Sequence, residues 1–142
     1  MKDKFYYLDG SILDYYDWDK KLHRLDGPAA EFANGDKEWY VEDKRHRLDG
    51  PAIEYADGSK KWFFEGKLHR LDGPACEYAD GSKKWFFEGK LHRLDELAVE
   101  YASGHKEWWV DGKLLTEEQF EAHPKRQDYL ASLAIEEILN ER

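Results

Sequence analysis

Gly50-Pro51-Ala52-Ile53-Glu54-Tyr55-Ala56-Asp57-Gly58-Ser59-Lys60-Lys61-Trp62-Phe63-Phe64-Glu65-Gly66-Lys67-Leu68-His69-Arg70-Leu71-Asp72 is followed at Gly73 by a second copy with almost no change. His23, His46, His69 and His92 stand 23 residues apart, and so do Trp39, Trp62, Trp85 and Trp108. Self-similarity at a fixed period of this size marks a repeat architecture and takes precedence over any local assignment.

Within a unit, Asn34-Gly35, Asp57-Gly58 and Asp80-Gly81 signal a two-residue type I′ hairpin loop, whose central residues need positive φ. Ser103-Gly104 takes that place in the last unit. With Asp57-Gly58 as the loop, Glu54 faces Lys61 and Ile53 faces Trp62. Alternation then puts Ile53, Tyr55, Trp62 and Phe64 on one side of the sheet, and Glu54, Lys61 and Phe63 on the other. In this register Glu54–Lys61 and Glu77–Lys84 are complementary, while Glu31 meets Glu38 and Glu100 meets Glu107. The two middle copies are then the well-matched ones. The second turn falls at Glu65-Gly66, Glu88-Gly89 and Asp111-Gly112; Glu42-Asp43 lacks the glycine. The chain returns through Lys67-Leu68-His69-Arg70 and meets Leu71-Asp72-Gly73-Pro74, where proline cannot donate to a ladder and a kink is expected. The predicted fold is mainly β: a single-layer antiparallel meander of 23-residue hairpin repeats over residues 23–113, about two strands per unit.

The ends differ. Residues 1–22 read as N-terminal capping strands, with a turn at Asp9-Gly10 and Tyr15, Tyr16 and Trp18 where later units place their aromatic strand. Residues 114–142 read as a C-terminal α-helical cap. Thr116-Glu117-Glu118-Gln119 is a capping box, Pro124 interrupts, and a second helix is predicted from about Lys125 to Leu139. Its Leu130, Leu133, Ala134 and Ile138 share one face, expected to cover the open end or a face of the sheet.

The formal charge is −9, with eleven acids against five bases in residues 96–142. That balance argues against binding a nucleic-acid backbone and makes membrane attachment an unfavourable expectation. The one cysteine, Cys76, excludes an intrachain disulfide framework and suits a reducing compartment. It occupies the position of Ala30, Ile53 and Val99, that of a small core hydrophobe. With neither a transmembrane run nor a signal-peptide core, a cytoplasmic location is expected.

Trp62-Phe63-Phe64-Glu65-Gly66-Lys67-Leu68-His69 followed by Tyr78-Ala79-Asp80-Gly81-Ser82 resembles the MORN repeat over roughly residues 15–113. Two features depart from that family. Its histidine is commonly followed by glycine, where this chain has Arg24, Arg47, Arg70 and Arg93, and Asp-Gly-Pro-Ala replaces its next glycine. The His-Arg-x-Asp-Gly-Pro-Ala form is similar to repeats of uncharacterised bacterial and bacteriophage proteins, some labelled antitoxin-like. The resemblance implies a twisted elongated sheet used for protein or lipid contacts, without catalysis.

The repeated polar residues invite chemistry. Equivalent residues two strands apart are separated by roughly 9–10 Å, whereas a zinc–nitrogen bond is about 2 Å. The four histidines therefore cannot share an ion, and holding a loop by hydrogen bonds suits them better. Arg47, Arg70 and Arg93 with their Asp partners read as a stacking device. An active site needs one asymmetric cluster of groups in different roles, and here every candidate recurs. No catalytic, cofactor or metal site is expected. Trp39, Trp62, Trp85 and Trp108 are predicted to stack with Phe32, Tyr55, Tyr78 and Tyr101. A second stripe of Tyr40, Phe63, Phe86 and Trp109 lies on the opposite face, serving either packing or binding. That stripe with Arg47, Arg70 and Arg93 is the candidate binding surface. The function expected is a non-catalytic protein-binding module that occludes a partner protein, of antitoxin or bacteriophage counter-defence type. The alternatives are a small-molecule binder, with arginine and aromatic ladders holding an anion between protomers of a homo-oligomer, and a MORN-type membrane scaffold.

Overall fold

A computed structural model describes residues 1–141 and shows a mainly β protein. Eleven strands form one antiparallel sheet. It runs from Ile12–Leu13 at one edge through Lys4–Tyr6, Ala30–Glu31, Lys37–Glu38, Ile53–Glu54, Lys60–Lys61, Cys76–Glu77, Lys83–Lys84, Val99–Glu100 and Lys106–Val110 to Lys113–Leu115. Beyond it, Tyr40–Val41 pairs with Lys44–Arg45, Phe63–Phe64 with Lys67–Leu68, and Phe86–Phe87 with Lys90–Leu91. A unit thus contains four short strands, because the chain breaks twice: at Trp62, and again through the Gly73-Pro74 segment that divides the return strand as expected.

The second turn follows the sequence. Glu65 and Gly66 have φ of 48° and 83°, the two positive values of a type I′ loop, and Phe63 faces Leu68 across it. Glu42-Asp43 adopts the same turn without glycine, at 47° and 68°. A non-glycine residue at positive φ is strained, and asparagine tolerates it best. Glu65→Asn is therefore expected to raise stability by about 0.5 kcal/mol, read as a higher urea midpoint at unchanged m.

The first turn corrects the predicted register. Asp57 does not have positive φ, whereas Gly58 does, at 94°. The Tyr55 amide donates to the Ser59 carbonyl at 2.9 Å and the Gly58 amide to the Tyr55 carbonyl at 3.0 Å. The loop is Ala56-Asp57-Gly58, three residues long, with glycine alone in the left-handed region. Ile53 accordingly faces Lys61 and Glu54 faces Lys60. A one-residue slip exchanges the faces of every side chain on the strand, so Trp62 leaves the side of Ile53 and Tyr55. The slip also removes the predicted Glu–Glu clashes. Lys4, Glu31, Lys37, Glu54, Lys60, Glu77, Lys83, Glu100 and Lys106 oppose one another in that order, alternating in sign across the nine strands between the two edge strands. All four units are matched, not the middle two alone.

The other face carries the core. Phe5, Ala30, Ile53, Cys76 and Val99 are buried there, while the small residues before them in the repeats, Ala29, Ala52, Ala75 and Ala98, which alternation turns to the tryptophan face, are fully buried as well. At the N-terminal end Phe5, Tyr7, Leu22, Ala29 and Ala30 form a cluster with Leu13, Tyr16, Phe32 and Tyr40 packed on it. There the strand equivalent to later aromatic strands is Lys4–Tyr6, not the Tyr15–Trp18 stretch: Lys4 and Phe5 face Glu31 and Ala30 as Lys37 and Glu38 face Glu54 and Ile53. Trp18 is 87 % exposed.

At the other end Thr116 and Gln119 form the predicted capping box of α1 (Glu117–Glu121), whose Phe120 is buried. α2 (Pro124–Asn140) follows and buries no residue. The expectation that its apolar face covers the sheet is overturned. α1 already closes the last strand pair, and the apolar residues of α2 spread around the helix, Ile135 and Leu139 lying away from Leu130 and Leu133, instead of forming one dry face. The predicted C-terminal segment also includes Arg142, which lies outside the described residues.

Candidate interaction surface

On the face of the tryptophans, each unit repeats one construction. The Arg70 guanidinium lies 3.8 Å from the centre of the Trp62 ring. Its Nε donates to Asp72 at 3.0 Å, and its Nη1 donates to the Pro74 carbonyl at 3.0 Å and to Glu77 at 3.2 Å. Arg47 does the same with Trp39, Asp49, Pro51 and Glu54. Arg24 uses Tyr6, Asp26 and Pro28, and Arg93 uses Trp85, Asp95 and Leu97. Gly73 is required by this approach: a Cβ there would stand 2.9 Å from the Arg70 Cζ. Arg47, Arg70 and Arg93 are thus brought together as a ladder, but their charge is spent inside the fold, as the stacking expectation holds.

The histidines hold the next unit's turn. His23, His46, His69 and His92 accept through Nδ1 from the backbone amides of Glu42, Glu65, Glu88 and Asp111, at 2.8–3.0 Å. The amide of the second turn residue donates to the preceding unit as well, Gly66 to the Arg45 carbonyl and Gly89 to the Leu68 carbonyl. Rings alternate along this row as His46, Phe64, His69, Phe87, His92, with centroids 4.7–6.2 Å apart.

Each Nδ1 acceptor requires a neutral ring. Burial lowers the pKa of His92 below its ordinary 6.5, outweighing the Asp111 carboxylate, which raises it; Lys125 and His123 act in the same direction as burial. Because the unfolded chain binds the proton more readily than the folded one, stability contributed by His92 is intact above pH 6.5 and declines as pH falls through and below that value. Tm should therefore drop between pH 7.5 and 5.5, with a shallower slope in His92→Gln, measured by thermal unfolding in matched ionic strength.

The stripe of Tyr40, Phe63, Phe86 and Trp109 lies on the core side and not opposite it. Tyr40 Oη donates to Glu38 and Trp109 Nε1 to Glu107, and Arg45 spans Tyr40 and Phe63 at 5.7 and 5.6 Å from their centres. All four residues are half-buried, and burial pushes the Tyr40 hydroxyl up to about 12. Beside them Lys61 lies between the rings of Tyr55 and Tyr78, and Lys84 between those of Tyr78 and Tyr101. The tryptophans do not stack on the tyrosines, since the corrected register puts them on opposite faces. Cys76 is buried and its thiol pKa is raised by that burial, an unreactive setting. No group of three His, Cys, Asp or Glu side chains among the described residues could hold a metal ion.

One feature went unread in the sequence. Leu25, Leu48 and Leu71, between each Arg and its Asp, are 81–82 % exposed. They rim two grooves. One, of about 680 Å³, has Trp39, His46 and Arg47 in its lining; the next, of about 540 Å³, has Trp62, His69 and Arg70. The signal was present as a leucine in every His-Arg-Leu-Asp, an apolar residue with no place in the strand alternation.

No protein-family model matches the sequence, and no curated protein matches it. No helix among the described residues is long and apolar enough to cross a membrane.

Proposed function

We propose that this chain is a non-catalytic protein-binding module built of MORN-like repeats, an inhibitor of antitoxin or bacteriophage counter-defence type that occludes a partner protein. The observation that supports it most is that each repeated polar group has the same internal partner in every unit. Four arginines stack on rings and bind their own loops, and four histidines cap turns. Groups committed in this way position a surface; they do not perform proton or group transfer. The ladder arginines are already paired with two carboxylates in all four units, which disfavours an anion-sequestering role. The net charge of −9 disfavours attachment to acidic lipid. The test is affinity purification of the tagged full chain from its native host, followed by native mass spectrometry. One protein recovered in a fixed ratio supports the proposal; recovery of the chain alone, with a tightly held metabolite, sinks it.

A further inference from the structure

In units one to three the Arg-Leu-Asp loop is open, and in unit four it is not. Leu94, the counterpart of Leu71, is half-buried. The first turns of α2 lie on it: Arg126 Nη1 donates to the carbonyls of Leu94 at 2.8 Å and Asp95 at 3.2 Å. Tyr129 joins the lining of the groove between the Leu71 and Leu94 loops, about 690 Å³ in volume. The chain itself therefore displays what this loop accepts: a helix offering a guanidinium to the two carbonyls and, one turn later, an aromatic ring to the groove. Among the described residues the carbonyls of Leu25, Leu48 and Leu71 accept no hydrogen bond.

Resting on the binding-module proposal above, we infer that the open row Leu25-Asp26, Leu48-Asp49, Leu71-Asp72 is the docking surface for a basic amphipathic helix of a partner protein, seated as α2 is seated on Leu94-Asp95. Charge selects this occupant. Asp26, Asp49 and Asp72 are 86–88 % exposed while the ladder arginine beneath each is mostly buried, so the outer edge of every step presents a carboxylate. A second copy's free helix end fits poorly, since the exposed C-terminal half of α2 carries Glu136 and Glu137, with Glu141 as its C-cap. Successive loops are two strand spacings apart, roughly 9–10 Å, which is six to seven residues of helix at about 1.5 Å each. The partner helix should carry Arg or Lys at that interval, with Leu, Tyr or Trp between.

The test uses the full chain and a stapled 20-residue helix carrying arginines seven residues apart and leucine and tyrosine between them. Its control has every arginine replaced by glutamate. Amide shifts on titration should concentrate at the three loops. The triple variant Leu25→Ser, Leu48→Ser, Leu71→Ser should keep the wild-type Tm and bind the basic helix at least tenfold more weakly, and the glutamate helix should bind no better. Absence of binding, equal binding of both helices, shifts confined to α2, or self-association abolished by the triple variant would each overturn the inference. The variant also separates the two claims. If the native partner is still captured by it in full, the ridge is wrong and the binding module stands; if wild type captures none, the module itself fails.

Discussion

Phe120→Ala should release both C-terminal helices from the sheet, at a cost of about 3–5 kcal/mol in their docking. Phe120 is the largest side chain that is essentially sealed from solvent. It is the buried residue of α1, and the Arg126 guanidinium rests 5.0 Å from its ring centre. Truncating it leaves a cavity that a five-residue helix cannot collapse around. In a stacked array each unit contacts mainly its neighbours, so the damage should stay local. Hydrogen exchange should show α1 and α2 losing protection, while the amides of Ile53 and Cys76 keep theirs. Uniform loss of protection along the chain would mean that the cap is coupled to the whole sheet. With α2 undocked, Leu94 and Asp95 become a fourth open loop, and the basic helix probe should gain a site.

Arg70→Lys should cost about 2 kcal/mol although it preserves the charge. A lysine ammonium cannot lie flat on Trp62 while donating to Asp72, the Pro74 carbonyl and Glu77 at once, and the four contacts depend on the planar fork. For a chain of this size the loss corresponds to a fall in Tm of about 4–8 °C. Leu71→Ser, on the adjacent but exposed residue, should change Tm little, within about 0.5 kcal/mol. Equal effects from the two would show that the ladder arginine is ornamental to stability. The same comparison at Arg47 and Leu48 checks that the repeat behaves alike from unit to unit.

How far the sequence could be read depended on which local signal was unambiguous. Glu65-Gly66 flanked by Phe64 and Lys67 admits one tight turn, and it forms. Asp57-Gly58 admits two: a type I′ pair, or the end of a three-residue loop in which glycine alone is left-handed. The second is favoured here by the Asp57 carboxylate accepting from the Ser59 amide at 2.8 Å. The register prediction contained its own warning, since it set Glu31 against Glu38 and Glu100 against Glu107. Moving the strand one residue pairs Glu31, Glu54, Glu77 and Glu100 each with a lysine, and charge complementarity over all four units was the better guide. The N-terminal unit was misplaced because about ten extra residues separate its aromatic strand from His23, which hid the match of Lys4-Phe5-Tyr6-Tyr7 to Lys37-Glu38-Trp39-Tyr40. The histidine caps and the arginine stacking were legible, because groups repeated at fixed spacing can meet only fixed partners. The leucine ridge was not: an exposed residue satisfies no packing rule, and its meaning comes from the covered copy at Leu94.

The linkage of each second turn to the unit before it gives the array a direction. The turn at Glu65-Gly66 rests on His46 and Arg45, and the one at Glu88-Gly89 on His69 and Leu68. A segment that emerges first from the ribosome thus already presents the acceptors its successor needs, whereas no segment waits on one still unsynthesised for those bonds. Assembly can keep pace with translation, advancing like a zip from the amino end and locking when α1 closes the last pair.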